Sequence, residues 1–122
     1  MITKVKMVGV YVKDQDRAVA FYTHTLGFQV VQDAPLANGV RWIEVALPGA
    51  ETRLALFTPP GMEDRIGTFS NIIFTCPDVR ATCAELRARG VTFLQEPTEQ
   101  PWGIMAQFLD PDGNRFVLGS DT

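Results

Sequence analysis

Met7-Val-Gly-Val-Tyr-Val-Lys-Asp14 and Asn71-Ile-Ile-Phe-Thr-Cys-Pro-Asp78 are two octapeptides, 64 residues apart, each running through a mostly apolar stretch to a closing aspartate. The first continues into Ala18-Val-Ala-Phe-Tyr22 and closes at Leu26-Gly27-Phe28, and the second leads through residues 79–89 to Gly90-Val91. Further on, Arg53-Leu-Ala-Leu-Phe57 matches Arg115-Phe-Val-Leu-Gly119 at an offset of 62, a drift of two residues that short loop deletions absorb. A chain that repeats its order of signals in this way holds two copies of one supersecondary unit.

The local signals give that unit its elements. Residues 5–12 are short and rich in β-branched side chains, which predicts a strand. Asp14 or Asp16 then caps a helix whose apolar residues Val19, Tyr22 and Leu26 are spaced for one face, and Gly27 stops it. Strands are predicted at 28–31, 41–47 and 52–57, with a loop through Pro35 and Asn38-Gly39 and a turn at Pro48-Gly49. Residues 59–67, with two prolines, two glycines and no periodicity, connect the units. The second unit repeats the order: a strand at 70–75, a helix capped by Asp78 with Val79, Cys83 and Leu86 inward, a stop at Gly90, then a strand at 91–94. A loop over 97–103, a strand at 104–109, a tight turn at Asp110-Pro-Asp-Gly-Asn114 and a strand at 115–118 complete it. The expected architecture is a single α+β domain over residues 1–122, with βαβββ units at about 3–58 and 68–120. Each sheet has one face covered by its helix and one still to bury, so the units are expected to curl into a half-barrel around a cavity or to pair with a second chain.

Composition narrows the function classes. The 122 residues suit one domain with a core of its own, 46% hydrophobic and 20% charged. No stretch approaches a membrane span. Eleven basic against 14 acidic residues leave a net charge of −3 with no Lys/Arg stripe, which argues against nucleic acid. The first seven residues alternate, unlike a signal peptide, and the only cysteines are Cys76 and Cys83, so a reducing cytoplasm is expected, with both thiols acting as small apolar fillers.

The opening strand with its aspartate, the helix carrying Phe21-Tyr22, the Leu26-Gly27-Phe28 close and the Asp110-Pro-Asp-Gly-Asn114 turn resemble the vicinal oxygen chelate superfamily. That group includes glyoxalase I, fosfomycin-resistance thiol transferases, extradiol dioxygenases, methylmalonyl-CoA epimerase and the bleomycin-resistance proteins. The resemblance spans nearly the whole chain and implies the fold, while the superfamily hosts unrelated chemistries on it. In metal-dependent members a histidine stands seven residues before the aspartate on the first strand of each unit, and a carboxylate or other ligand on the last strand. Carried over, those positions are Met7 and Asn71, and about Ala55 and Val117. A thioether, an amide and two aliphatic side chains do not hold a hard cation, so the divalent metal that the resemblance implies is expected to be lost and no cofactor replaces it. The lone histidine, His24, lies late in the first helix and is read as a surface residue.

With the family's inward positions, strand alternation puts Met7, Gly9 and Tyr11 on the cavity face, with Asn71, Ile73 and Thr75 as counterparts. On the third strand Trp42, Glu44 and Ala46 share a face opposite Ile43, Val45 and Leu47. Glu44 has three readings: a general base working with Tyr11 or an arginine, provided burial raises its pKa, a partner to a cationic ligand, or a solvent-facing carboxylate near the mouth. Arg53 and Arg115 occupy matching positions and either receive an anionic ligand or snorkel at strand ends. Trp102 and Phe57 either cap a planar ligand or pack against a dimer partner. Three functions compete: a homodimeric, metal-free binding protein for a bulky small molecule, an enzyme (lyase, isomerase or dioxygenase) using Glu44 or a non-standard metal site, and a degenerate domain that pairs with another protein.

Overall fold

The computed structural model describes residues 1–121 and divides into two compact units, Met1–Ile66 and Gly67–Thr122. Unit one holds β1 (Met7–Val10), α1 (Gln15–Ala20), β2 (Gln29–Pro35), β3 (Arg41–Ala46) and β4 (Arg53–Leu56). Unit two holds β5 (Phe69–Cys76), α2 (Val79–Ala88), β6 (Thr92–Gln100), β7 (Gly103–Leu109) and β8 (Arg115–Ser120). The sheets have the same topology, β1-β4-β3-β2 and β5-β8-β7-β6, with β1 parallel to β4, β5 parallel to β8 and the other pairs antiparallel. This is the βαβββ repeat of an α+β fold, and neither sheet closes on itself.

Both helices begin on the aspartates that the sequence marks. Asp14 and Asp78 have extended backbones, and their carboxylates accept hydrogen bonds from the backbone N–H groups of Arg17 (3.1 Å) and Ala81 (3.0 Å). Helix α2 buries Val79, Cys83 and Leu86 as the spacing predicts. It ends in a Schellman motif, with Gly90 at positive φ and Val91 N–H donating to the Leu86 carbonyl at 3.0 Å. The first helix departs from the prediction. After Ala20 it widens into a π turn, Phe21–Thr25, in which Leu26 N–H donates to the Phe21 carbonyl and Thr23 Oγ1 donates to the Val19 carbonyl at 2.7 Å. The wider turn points Tyr22 fully into the core, edge-on to Phe21 and Phe28, and leaves Leu26 half-buried.

Several strand limits also differ, and β8 for one runs on to Ser120. β1 ends at Val10, short of the predicted residue 12. β2 runs on to Pro35 and β6 to Gln100, so the predicted 97–103 loop is a tight turn at Pro101 and Trp102. β2 and β6 are edge strands held by β3 and β7, and an edge strand that is polar on both faces carries no alternation to read. Pro97 falls at a ladder irregularity between Gln95 and Thr98, the kind of position where a residue without an N–H is tolerated.

Each helix lies on one face of its own sheet. In unit one Ile43, Val45, Leu54 and Leu56 turn inward with Ala18 and Tyr22. In unit two Phe74, Phe108 and Phe116 stack at centroid separations of 5.3–6.1 Å. Of the two cysteines, Cys83 is buried and Cys76 half-buried. The β7–β8 turn is locked by buried polar groups: Asp110 Oδ1 accepts the N–H groups of Asp112 and Asn114, and Asn114 Nδ2 donates to Asp110 Oδ2, all at 2.9 Å. Asn114 Oδ1 also accepts the Gly67 N–H at 2.8 Å, where Gly67 has φ +86° and a Cβ would meet the Asp112 carbonyl at 3.1 Å. Asn114→Ala is therefore expected to lower stability by about 2–3 kcal/mol, since it removes the donor to the buried Asp110 Oδ2 and the acceptor of the Gly67 N–H, and urea unfolding measures it.

Candidate functional site

The face of each sheet away from its helix follows from the strand registers. In unit one Met7 pairs with Arg53, Gly9 with Ala55, and Ala55 with Glu44, which puts these side chains on one face. Trp42 shares that face two residues from Glu44, and Phe57, one residue past β4, meets the Trp42 ring at 5.3 Å between centroids. Tyr11 lies just past β1, half-buried, with its ring edge 3.5 Å from where a Cβ on Gly9 would stand.

Glu44 organises this face. It is 4% exposed, and both carboxylate oxygens are engaged: Oε2 accepts from the indole Nε1 of Trp42 at 2.7 Å, and Oε1 accepts from Arg53 Nη1 at 2.9 Å. The Trp42 and Arg53 hydrogen bonds hold the carboxyl below its ordinary value of 4.5, outweighing the desolvation that would raise it. The raised pKa that a general base would need is therefore replaced by its opposite, and the solvent-facing alternative does not hold either. Glu44 is a buried anchor, ionised at neutral pH, that fixes an indole and a guanidinium.

Unit two presents different chemistry at equivalent positions. Gln107 pairs with Val117 as Glu44 pairs with Ala55, and its amide donates to Gln95 at 3.2 Å. Arg115 matches Arg53 by register, since it pairs with Phe69 as Arg53 pairs with Met7. It has no carboxylate beside it on this face and lies exposed over the Phe69 ring, 5.9 Å from the centroid. Ile73 and Val117, paired across β5 and β8, join Trp102, Ile104, Met105, Gly119 and Ser120 around an open hollow of about 380 Å³. Trp102 and Ile73 are 70% and 71% exposed at its rim. Ile104 and Met105 lie in the strand predicted at 104–109 but were not among the expected site residues, although Met105 holds the position in its unit that Trp42 holds in unit one.

Asn71 does not join this hollow. It stands at φ +62° in β5, in a ladder irregularity between Phe69 and Ile73. Unit one steps directly from the Met7–Arg53 pair to the Gly9–Ala55 pair, whereas unit two places four residues of β5 against the same two-residue step of its partner. The two-residue drift in the repeat therefore enters within β5, at a bulge, and is not confined to loop deletions as the sequence suggests.

The sequence profile described as "Glyoxalase/Bleomycin resistance protein/Dioxygenase superfamily" matches residues 4–118. The chain belongs to that superfamily. The uncharacterized protein YetH of Bacillus subtilis (strain 168) is 40% identical over 118 residues, covering 97% of this chain and 98% of its own. Two solved structures are similar throughout. TnmS3, an antibiotic binding protein from Streptomyces sp. CB03234, is 38% identical with a TM-score of 0.85 over 99% of this chain and 98% of its own. A superfamily member from Sphaerobacter thermophilus DSM 20745 is 37% identical with a TM-score of 0.89 over 98% of each chain.

The four residues that the resemblance points to, Met7, Ala55, Asn71 and Val117, carry a thioether, a methyl, an amide and an isopropyl group, a donor set that does not suit a divalent cation. Among the described residues no group of three or more His, Cys, Asp or Glu side chains could hold a metal ion. His24 is exposed on the π turn, and the one carboxylate on this face of unit one is already taken up by Trp42 and Arg53.

Because folding lowers the Glu44 pKa, its ionised form contributes stability above the unfolded value, and that contribution disappears as pH falls through the folded value. Glu44→Gln is expected to lose about 1–2 kcal/mol at neutral pH, the half-exposed Arg53 limiting the effect. The gap from wild type should narrow below pH 4.5, and urea unfolding across that range measures it.

Proposed function

We propose that this protein is a binding protein for a bulky, largely apolar aromatic small molecule, acting as a cytoplasmic homodimer without the superfamily's divalent metal. The observation that carries the reading is the unit-two hollow, whose walls are apolar apart from Ser120 and whose rim carries an indole. Pockets that take drug-sized ligands have this character, with few polar groups and aromatic walls. The 38% identity to TnmS3, described as an antibiotic binding protein, and the mismatched donor set at the ligand positions support the same reading. The exposed side chains of Ile73, Leu94 and Trp102 are apolar surface of the kind that a second copy or a ligand covers. No helix among the described residues is long and apolar enough to cross a membrane, and both cysteines are free thiols, as a reducing compartment keeps them.

Nothing in the surroundings of Glu44 favours acid–base catalysis with Tyr11, so binding is preferred to turnover. The test is a thermal-shift screen of polycyclic aromatic antibiotics against the purified protein, with and without prior chelator treatment. A binder at 100 times its dissociation constant should stabilise the fold by about 2.7 kcal/mol. The shift should survive the chelator and weaken in Trp102→Ala. No shift from any compound, or shifts that vanish with the chelator and return with added metal, would overturn the reading.

A further inference from the structure

The pair of buried Glu44 and half-exposed Arg53 leaves a guanidinium that is only partly used. Arg53 Nη1 donates to Glu44, no other protein acceptor engages its side chain among the described residues, and that side chain is 37% exposed. A guanidinium has five N–H donors in a planar fork suited to two-point recognition of an oxyanion. A free surface arginine spends affinity on ordering its side chain, whereas this one is already held by a carboxylate that is itself clamped by Trp42.

The surroundings settle which charge such a site takes. The chain as a whole carries −3, so a global field would favour cations. On this face the balance is reversed: Glu44 is the only carboxylate in the cluster, and Arg53 and Lys6 both act on it electrostatically. Glu44 joins Arg53 to the Trp42 indole, and the Phe57 ring, tilted 54° to that of Trp42, extends the half-buried aromatic surface on the same face. Unit two lacks the arrangement, because Gln107 replaces the anchoring carboxylate and Arg115 lies on Phe69.

We propose that Arg53, oriented by Glu44 on the face that also carries Trp42 and Phe57, is a recognition site for an acidic oxygen group carried on an aromatic ligand, such as a sulfonate, carboxylate or ionised phenol. The proposal goes beyond the binding reading of the unit-two hollow, since it adds a separate site on unit one and names the charge that site takes and the residue that reads it. Glu44 and Trp42 are positioning residues here, and Arg53 makes the contact.

Two fluorescent probes that differ by one group test it. 8-Anilinonaphthalene-1-sulfonate carries a sulfonate on the naphthylamine scaffold of N-phenyl-1-naphthylamine, which is neutral. Titrated into the full chain, the sulfonate should bind about tenfold more tightly than the neutral probe, as one charge-assisted, bidentate contact provides. The ratio should fall close to one in Arg53→Gln and recover in part in Arg53→Lys, which keeps the charge but loses the fork. Raising the salt concentration should lower the ratio in wild type more than in Arg53→Gln. A wild-type ratio near one overturns this inference even if both probes bind, and it leaves the binding reading standing. Failure of both probes to bind removes this inference and counts against the binding reading as well. A tenfold ratio that persists in Arg53→Gln moves the anion contact to another residue and overturns the assignment. The wild-type ratio needs no variant, so the inference stays testable if Arg53→Gln fails to fold.

Discussion

The parallel pairing of the first and last strands within each unit is the constraint on which the rest depends. β1 reaches its partner β4 only after the chain has passed through α1, β2 and β3, and β5 reaches β8 in the same way. A single helix in that path covers one face of a four-stranded sheet and no more. On β3 the division is clear: Ile43 and Val45 are fully buried on the helix side, and alternation hands the opposite face to Trp42 and Glu44. That second face is free of the duty of packing a helix, and it is where the two units differ most.

A carboxylate at 4% exposure is costly unless its lone pairs are satisfied. Glu44 meets this condition with two donors of different kinds, a neutral indole and a cation. The arrangement holds both partners, because withdrawing Arg53 would leave the buried charge unpaired and withdrawing Trp42 would leave Oε2 without this donor. Its contribution to stability and its pre-organisation of the surrounding face therefore have one origin. A pair of hydrogen bonds that keeps Glu44 ionised also makes it a poor proton acceptor, so the same geometry that builds a recognition surface argues against base chemistry there.

Much of the architecture was legible because it rests on short-range signals that occur twice. The aspartate caps, the glycine stops at Gly27 and Gly90 and the inward Val79, Cys83 and Leu86 each have a local physical cause, and repetition confirmed them. The edges of the sheets were less legible: β2 and β6 take their hydrogen bonds from β3 and β7, and a strand defined by its neighbour leaves little trace in its own residues. The site was legible by parity alone. Alternation placed Trp42, Glu44, Arg53 and Ala55 on one face, but which of them touch depends on register, and register is a property of two strands at once. Asn71 shows the limit. By sequence offset it matches Met7, yet a left-handed residue inside a strand removes it from the ladder, and no sequence period records a bulge.

The relation between Glu44 and Gln107 carries the argument one step further. The two residues hold the same register position on the same topology and differ by an amide for a carboxylate. In unit one the charge captures Arg53 and turns a strand-end cation into a fixed donor. In unit two the amide pairs with Gln95, and Arg115 is left to lie on Phe69. Neither choice disturbs strand pairing, since the ladder is made by backbone groups and the helix-side core by residues of the opposite parity. Recognition chemistry on this scaffold can therefore change by one side chain at a time while the fold stays as it is. Unrelated functions sharing one architecture is what such independence produces.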